Sequence, residues 1–392
     1  MKRSPWRVLA ATCIVAAGFC LVAVVIVISL RGANVTERDF IEYWAAEQQF
    51  IHGANPYDAA QIFRLERAEG LTRREPELWF SPPVMLFLMW PLGLLSAHTG
   101  LIVWSLLLVA SLSLSLWILW QIHGRPPTLL HLFGFLFAPV LVCIQAAQIG
   151  IFLLLSVLVF LYFRDSRRFL AGAALLPCAL KPHLFLPFAI VLLLWVFSRK
   201  AYGILAGFLL TLFVSCGLTT WYDPHIWLQY SSMMGTAGAL NHFVPTLSAS
   251  LRFLIDPNAV WLQFLPEGVA CVWAAWYFWT RRNRWNWLDQ GMVLLLVSVL
   301  CAPYAYFTDE SVLLPAVMTG VVRAMESRRS VLPIVFLAGA ALIEAHAVVQ
   351  IISRYYLWTA PAWLGWYLYA TWGDKAQGER VEGSLTELAE SK

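Results

Sequence analysis

The sequence predicts an all-α protein: a polytopic membrane helix bundle with about 12 transmembrane helices. Three observations predict it. Hydrophobic residues make up 60% of the 392 positions and charged residues only 13%, about half the charge of a soluble domain. At about 20 apolar residues per spanning helix, that stock supplies about a dozen spans. The charge is also confined: 15 of the Lys, Arg, Asp and Glu residues lie in 31–78 and 8 more in 374–392. A soluble enzyme of this length could not hide so much apolar surface in one core. Composition therefore excludes that class, a disordered chain and a protein held by one anchor. A net charge of +4 is too small to suggest nucleic acid as a partner; membrane lipids are the partner this composition implies.

Met1-Lys2-Arg3 and Arg7 precede an uncharged run from Val8 to Leu30. It is longer than the apolar core of a usual signal peptide and reads as a first transmembrane helix with a cytoplasmic N-terminus. Residues 31–78 form the first external loop. Apolar residues recur at helical spacing from Asp39 to Ile51 and again from Ala59 to Glu69, and His52-Gly53-Ala54-Asn55-Pro56-Tyr57-Asp58 breaks them apart. Two short amphipathic helices lying on the membrane surface fit this pattern. Apolar segments follow at about 79–97, 98–121, 128–146, 148–163, 168–181, 183–198 and 201–219. A wetter second external loop, 220–258, leads to segments at about 259–280, 287–305, 310–325, 330–349 and 356–371. Residues 1–371 thus read as a single integral-membrane domain and 372–392 as a polar cytoplasmic tail.

Basic clusters set the orientation. Arg164 to Arg168, Arg199-Lys200, Arg281 to Arg284 and Arg328-Arg329 belong on the cytoplasmic side, which puts Lys181 to His183, the 220–258 loop and Asp309 outside. Between 79 and 163 the parity fails by one, so one segment there, with 128–146 and its Pro139 the candidate, is re-entrant or incompletely spanning. Cys13, Cys20, Cys143, Cys178, Cys216, Cys271 and Cys301 all sit in apolar runs with no CxxC pair. They read as free buried thiols, without a disulfide framework or a zinc site.

The chemistry is sought among polar side chains at the external helix ends, because an ionisable group in hydrocarbon is costly and marks function. Asp39 opens the first loop helix, where it is an N-terminal cap, an ion-pair partner of Arg38 or another loop arginine, or a reactive carboxylate. Lys181-Pro182-His183 interrupts two apolar runs with two potential cations and a bend-forcing proline. It is an ordinary turn or an anion site, since Lys binds phosphate as a point charge. Tyr304 to Glu310 is a further external turn, and 238–253 a lid or a connection. Glu267, Glu344 and His346, inside apolar segments, read as hydrogen-bonded polar residues facing the bundle.

The order of these landmarks resembles glycosyltransferase family 87, whose members are multi-pass enzymes using polyprenyl-phosphate sugars. Asp39-Phe40-x-x-Tyr43 followed by Gly53-x-Asn55-Pro56-Tyr57-Asp58 resembles the family's first external loop. Ser81-Pro82-Pro83 to Trp90-Pro91-Leu92 is similar to its Tyr-Pro-Pro and Pro-Leu helix. Gln148-x-x-x-Phe152-Leu153-Leu154-Leu155 resembles its Gly-Gln-x-Asn-Leu-Leu-Leu segment, with Ala147 where the family prefers Gly. Ala171-Gly172 to Leu180-Lys181-Pro182 resembles its Ala-Gly to Leu-Lys-Pro segment, Asn241 to Ser248 its Asn-x-Ser loop, and Ala302-Pro303-Tyr304 to Asp309 its Ser-Pro-Tyr/His turn. Phe307-Thr308-Asp309 departs from the commonest form of that turn.

The resemblance implies a GT-C-type fold with its active site at the external face of a bacterial inner or plasma membrane, and the basic clusters put both termini in the cytoplasm. It implies transfer of a hexose, mannose first, from a polyprenyl-phosphate donor to a glycolipid or glycan acceptor of the cell envelope, with inversion. Under that reading Asp39 is the general base, and Lys181 and His183 bind the donor phosphate. Tyr43, Asn55, Tyr57, Gln148, Tyr304 and Asp309 bind substrate. With no Asp-x-Asp pair in the external loops, no divalent metal and no other cofactor is expected. The competing classes are a lipid or small-solute transporter or flippase, which would suit the many spans and intramembrane carboxylates, and a non-catalytic assembly component. Against transport, no two-fold internal similarity is visible.

Overall fold

The computed structural model describes residues 34–236, 243–326, 332–349 and 356–371. The expected first helix, the polar tail, Asn241, Cys13 and Cys20 lie outside them. Among the described residues every regular element is a helix. The chain divides into two compact units. One runs through Ser113 and includes Ile144–Ile149 and the stretch from Ser215 to the end of its last helix. The other comprises Leu114–Cys143, Gly150–Val214 and the residues beyond.

The first unit is built on α1 (Phe40–Ile51), α2 (Ala59–Ala68), α3 (Leu86–Gly93), the first half of α4 (Ala97–Ile122), the C-terminal end of α9 (Tyr202–Tyr222) and α10 (Ile226–Thr236). Both loop helices stand where apolar spacing predicts them. Gly53, at φ +68°, turns the chain between them, a conformation a Cβ disfavours. Asp58 caps α2 by accepting from the backbone amides of Ala60 and Gln61 at 2.9 and 3.2 Å. The first loop helix is not a membrane-surface helix. Phe40, Ile41, Tyr43, Trp44, Ala45, Ala46, Glu47 and Phe50 are all buried, so α1 is covered on nearly every side. It is pinned to the end of α3 by the indole of Trp44, donating to the Leu95 carbonyl at 2.9 Å, and by the Gln48 amide, donating to the Gly93 carbonyl at 2.6 Å.

In the second unit α5 (Ala138–Ala146, to Cys143) leads to α6 (Gly150–Phe163), α7 (Arg168–Ala173), α8 (Leu186–Ser198) and the N-terminal part of α9. Then come α11 (Leu247–Ile255), α12 (Leu265–Arg281), α13 (Gln290–Cys301), α14 (Leu314–Glu326), α15 (Leu332–Val349) and a last helix, 359–371. Trp287, 2% exposed, centres the core here, with Phe160, Phe188, Trp195 and Trp285 packed around it at centroid distances of 5.1 to 5.7 Å. At the crossing of α7 and α9 the backbones touch: a Cβ on Gly172 would lie 1.8 Å from the Ile204 carbonyl oxygen.

Two helices are long and apolar enough to cross a membrane among the described residues, α4 and α9. Most other apolar segments are broken. The 79–97 run yields only a 3₁₀ turn and the eight residues of α3. The 168–181 run divides into α7 and a 3₁₀ turn, Leu176–Leu180. The 128–146 run becomes a 3₁₀ turn, Leu130–Leu136, and then nine-residue α5, with the break just ahead of Pro139. Cys143, Cys178, Cys216, Cys271 and Cys301 are free thiols. Of the polar residues inside the apolar segments, Glu344 accepts from the Ala138 backbone amide at 2.8 Å, and the His346 ring packs on Trp358 at 5.0 Å. Glu267 is buried, with Oε1 lacking a hydrogen-bond partner among the described residues.

Candidate active site

In the first unit the polar residues gather around Asp39. Its backbone amide donates to the Ala146 carbonyl at 2.9 Å, and Arg38 donates to the Gln145 carbonyl, which fixes the start of α1 against 144–149. Asp39 occupies the N-cap position of α1, yet its side chain makes no capping hydrogen bond. The carboxylate is oriented elsewhere: Gln148 donates from Nε2 to Oδ2 at 2.6 Å. The same amide accepts at Oε1 from the Tyr43 hydroxyl at 2.7 Å. Gln148, 7% exposed, therefore has its donor edge set by the acceptor-only carboxylate of Asp39, and its oxygen takes the Tyr43 proton. Tyr43 is seated against Trp104 at 5.5 Å and edge-on to Trp79 at 6.3 Å. The Trp104 indole donates to the Ala147 carbonyl at 2.8 Å, closing the group. Ala147 has φ +57°, the left-handed conformation in which glycine is favoured.

Asn55 and Tyr57 lie further along the same unit. The Tyr57 amide donates to Asn55 Oδ1 at 2.9 Å, and its hydroxyl donates to the Ser81 carbonyl at 3.2 Å. The Tyr57 ring stacks on Trp79 at 6.3 Å and 20°, so Trp79 links Tyr57 to Tyr43. Glu47, two helical turns after Asp39 on α1, is fully buried, and neither carboxylate oxygen has a hydrogen-bond partner among the described residues. Burial raises its pKa well above the usual carboxylate range. Sequence reasoning missed Glu47, Trp79 and Trp104; nothing in their spacing separates them from ordinary core residues.

In the second unit the residues gather around Lys181. Its Nζ lies 2.6 Å from Asp309 Oδ1, with the two side chains 12% and 1% exposed. Asp309 Oδ2 accepts from the Tyr306 backbone amide at 3.0 Å, so one carboxylate both caps the 3₁₀ turn Phe307–Leu313 and pairs with the lysine. The Lys181 backbone is held out of helix by the following proline (φ −131°, ψ 64°). The Tyr306 ring lies 5.8 Å from Nζ. The His183 ring packs on Tyr304 at 3.8 Å. Burial, and then the Lys181 ammonium, lower its pKa to about 3. His183 is thus neutral at physiological pH, so of the two potential cations only Lys181 is charged; the His183 Nε2, closed to solvent, has no hydrogen-bond partner among the described residues.

The Pro303 turn is braced by Gln263 and by Ser248 and Arg252 of the 238–253 loop. Gln263 donates to the Pro303 carbonyl at 2.8 Å, Arg252 donates to Gln263 Oε1 at 2.9 Å, and the Ser248 hydroxyl donates to the Cys301 carbonyl at 3.0 Å. Among the described residues no group of three or more His, Cys, Asp or Glu could hold a metal ion.

The profile of glycosyltransferase family 87 matches residues 79–303, more than half of the chain. The chain belongs to glycosyltransferase family 87. It is therefore a member of a membrane glycosyltransferase family and acts on a sugar donor and an acceptor. Gln148, Lys181 and His183 fall within the matched residues; Asp39, Tyr43, Asn55, Tyr57, Tyr304 and Asp309 fall outside them. No curated protein and no solved structure matches the chain.

Proposed function

We propose that this family 87 chain transfers a hexose, mannose first, from a polyprenyl-phosphate donor to an acceptor hydroxyl at the external membrane face, with inversion at the anomeric carbon. In this reading it is a multi-pass bundle of GT-C type. The donor's phosphate leaves as an anion, so the reaction needs a cation beside it more than a general acid. The acceptor hydroxyl needs a base as the new bond forms. Asp39 takes that proton on its carboxylate, and Lys181 faces the phosphate. The two groups belong to different units of the chain.

The observation that carries the reading is the orientation of Asp39. A cap would spend its carboxylate on the amides of α1, as Asp58 does on α2. Asp39 instead takes the donor edge of a buried amide that is itself held at its oxygen by the Tyr43 hydroxyl, the oriented arrangement expected of a base. On the donor side, a neutral imidazole at His183 can donate one hydrogen bond to a phosphate oxygen, while Lys181 supplies the charge. Asp309, nearly unexposed and with both oxygens engaged, is a positioning residue for Lys181 rather than a substrate contact. A lipid donor also needs room for its chain. An open apolar groove of about 620 Å³ along α12, lined by Trp261, Phe264, Val269, Trp273 and Trp276 among others, supports that requirement.

Donor class is tested with the purified chain in lipid nanodiscs, offered decaprenyl-phosphate mannose or the matching nucleotide sugar together with membrane lipids as acceptors. Transfer from the lipid-linked sugar alone is expected. Transfer from the nucleotide sugar alone would contradict the donor assignment.

A further inference from the structure

The first unit holds a second concavity that the reaction as proposed leaves unused. A pocket of about 280 Å³ is lined by Asn55 and Tyr57 from the turn between α1 and α2, by Leu78, and by Gln229, Ser232 and Met233 of α10. It is near the lower limit of small-molecule sites, about 300–1,000 Å³, and suits one ring rather than a chain of them.

Its chemistry selects the ligand. The side chains that line it include two amides, a phenol and a hydroxyl but no Lys, Arg, His, Asp or Glu. A phosphate would find no cation there. Gln229 Oε1 is closed to solvent without a hydrogen-bond partner among the described residues, and a lipid tail would leave that acceptor unsatisfied at a cost. Asn55 spends Oδ1 on the Tyr57 amide, which turns its NH₂ edge to other partners. The Tyr57 ring is itself immobilised, stacked on Trp79 and packed at 5.3 Å against Tyr230. The amides of Asn55 and Gln229, the Ser232 hydroxyl and a fixed aromatic ring match a neutral polyol, whose hydroxyls both donate and accept.

The pocket is joined to Asp39 through Trp79, Tyr43 and Gln148 within the same unit, yet none of Asp39, Tyr43 and Gln148 lines it. A ring seated there is therefore not the ring whose hydroxyl meets the base. We infer that the pocket seats a non-reacting, neutral sugar ring of the acceptor, so that the acceptor is a saccharide or glycolipid of at least two rings. This rests on the assignment of Asp39 as base. Binding energy from such a remote ring serves to hold the reacting hydroxyl in place.

The test uses the full chain in nanodiscs and octyl glycosides of glucose, mannose and galactose, each with one and with two hexose rings, as probes in a direct binding assay. In at least one series the two-ring probe is expected to bind about tenfold more tightly than its one-ring counterpart, and Gln229→Leu, which removes the unsatisfied acceptor without changing bulk, is expected to erase that difference. Asn55→Leu, in the turn between α1 and α2, should do the same, and Asp39→Asn should leave it intact. No two-ring preference in any series, or a preference retained by both pocket variants, overturns the pocket assignment. Failure of the mechanism appears separately, as wild-type transfer by Asp39→Asn.

Discussion

Ala147 occupies a left-handed backbone conformation, φ +57°, between the segment that anchors α1 and the glutamine that orients Asp39. For a residue with a Cβ this costs about 1–2 kcal/mol, which gives a physical reason for the glycine that the family prefers there. Ala147→Gly is expected to raise the unfolding free energy by about 1 kcal/mol, measured by thermal or denaturant unfolding in detergent; a loss of stability would contradict the strain. A second residue-scale expectation concerns Glu66 on α2. Fully buried, it accepts from the Glu77 backbone amide at 3.2 Å, and burial pushes its pKa from 4.5 up to about 8, only partly opposed by Arg73. The folded carboxyl thus holds its proton where the unfolded one has lost it. Its contribution to stability is complete below pH 4.5 and is lost as pH rises through 8. Amides of α2 should exchange faster at pH 8.5 than at pH 5 after correction for intrinsic rates, and Glu66→Gln should flatten that difference. Ala147 shows in the sequence only as a departure from the glycine that the resemblance expects, and Glu66 not at all. Asp39 and Asp58 are equally good caps by residue type, and only the packed partner, 109 positions away for Asp39, separates their roles.

At the scale of elements, the hairpin carrying Lys181 and the turn Phe307–Leu313 form one structural device, because the ion pair buries a lysine against a carboxylate that also caps the turn. Lys181→Met leaves the Asp309 charge buried and unpaired and should cost about 3–5 kcal/mol of stability. The double variant Lys181→Met with Asp309→Asn should recover much of that stability but no transfer, since the phosphate still lacks its cation. Recovery of transfer by the double variant would refute the donor-phosphate role of Lys181. The same turn is packed tightly on α6. A Cβ at Gly150 would stand 2.6 Å from both Ser311 Oγ and the Thr308 carbonyl oxygen, so Gly150→Ala should destabilise by about 1–3 kcal/mol, read from the same unfolding curves. Element positions were legible where a polar break bounds a periodic run, as around His52 to Asp58. They were less so inside the apolar runs, where composition stays uniform while the backbone changes from α to 3₁₀, as at Leu176–Leu180 and Leu130–Leu136. Hydropathy has no period that records such a change.

For the whole molecule, the scarcity of charge places the chain in a membrane, and its order of motifs places it in glycosyltransferase family 87, matched over 79–303. The proposed base lies ahead of that match, in the polar loop, and depends on the matched Gln148 for its orientation. The sequence could order these two residues but not join them, because contact between positions so far apart is a product of packing. The central claim is that Asp39 removes the acceptor proton. Its most direct test is the transfer rate of purified Asp39→Asn under saturating donor, alongside its thermal stability and its binding of the donor. A fall in kcat of about 10²–10⁴-fold, with folding and donor binding preserved, is the expected result, and a kcat near that of the unsubstituted chain would contradict it.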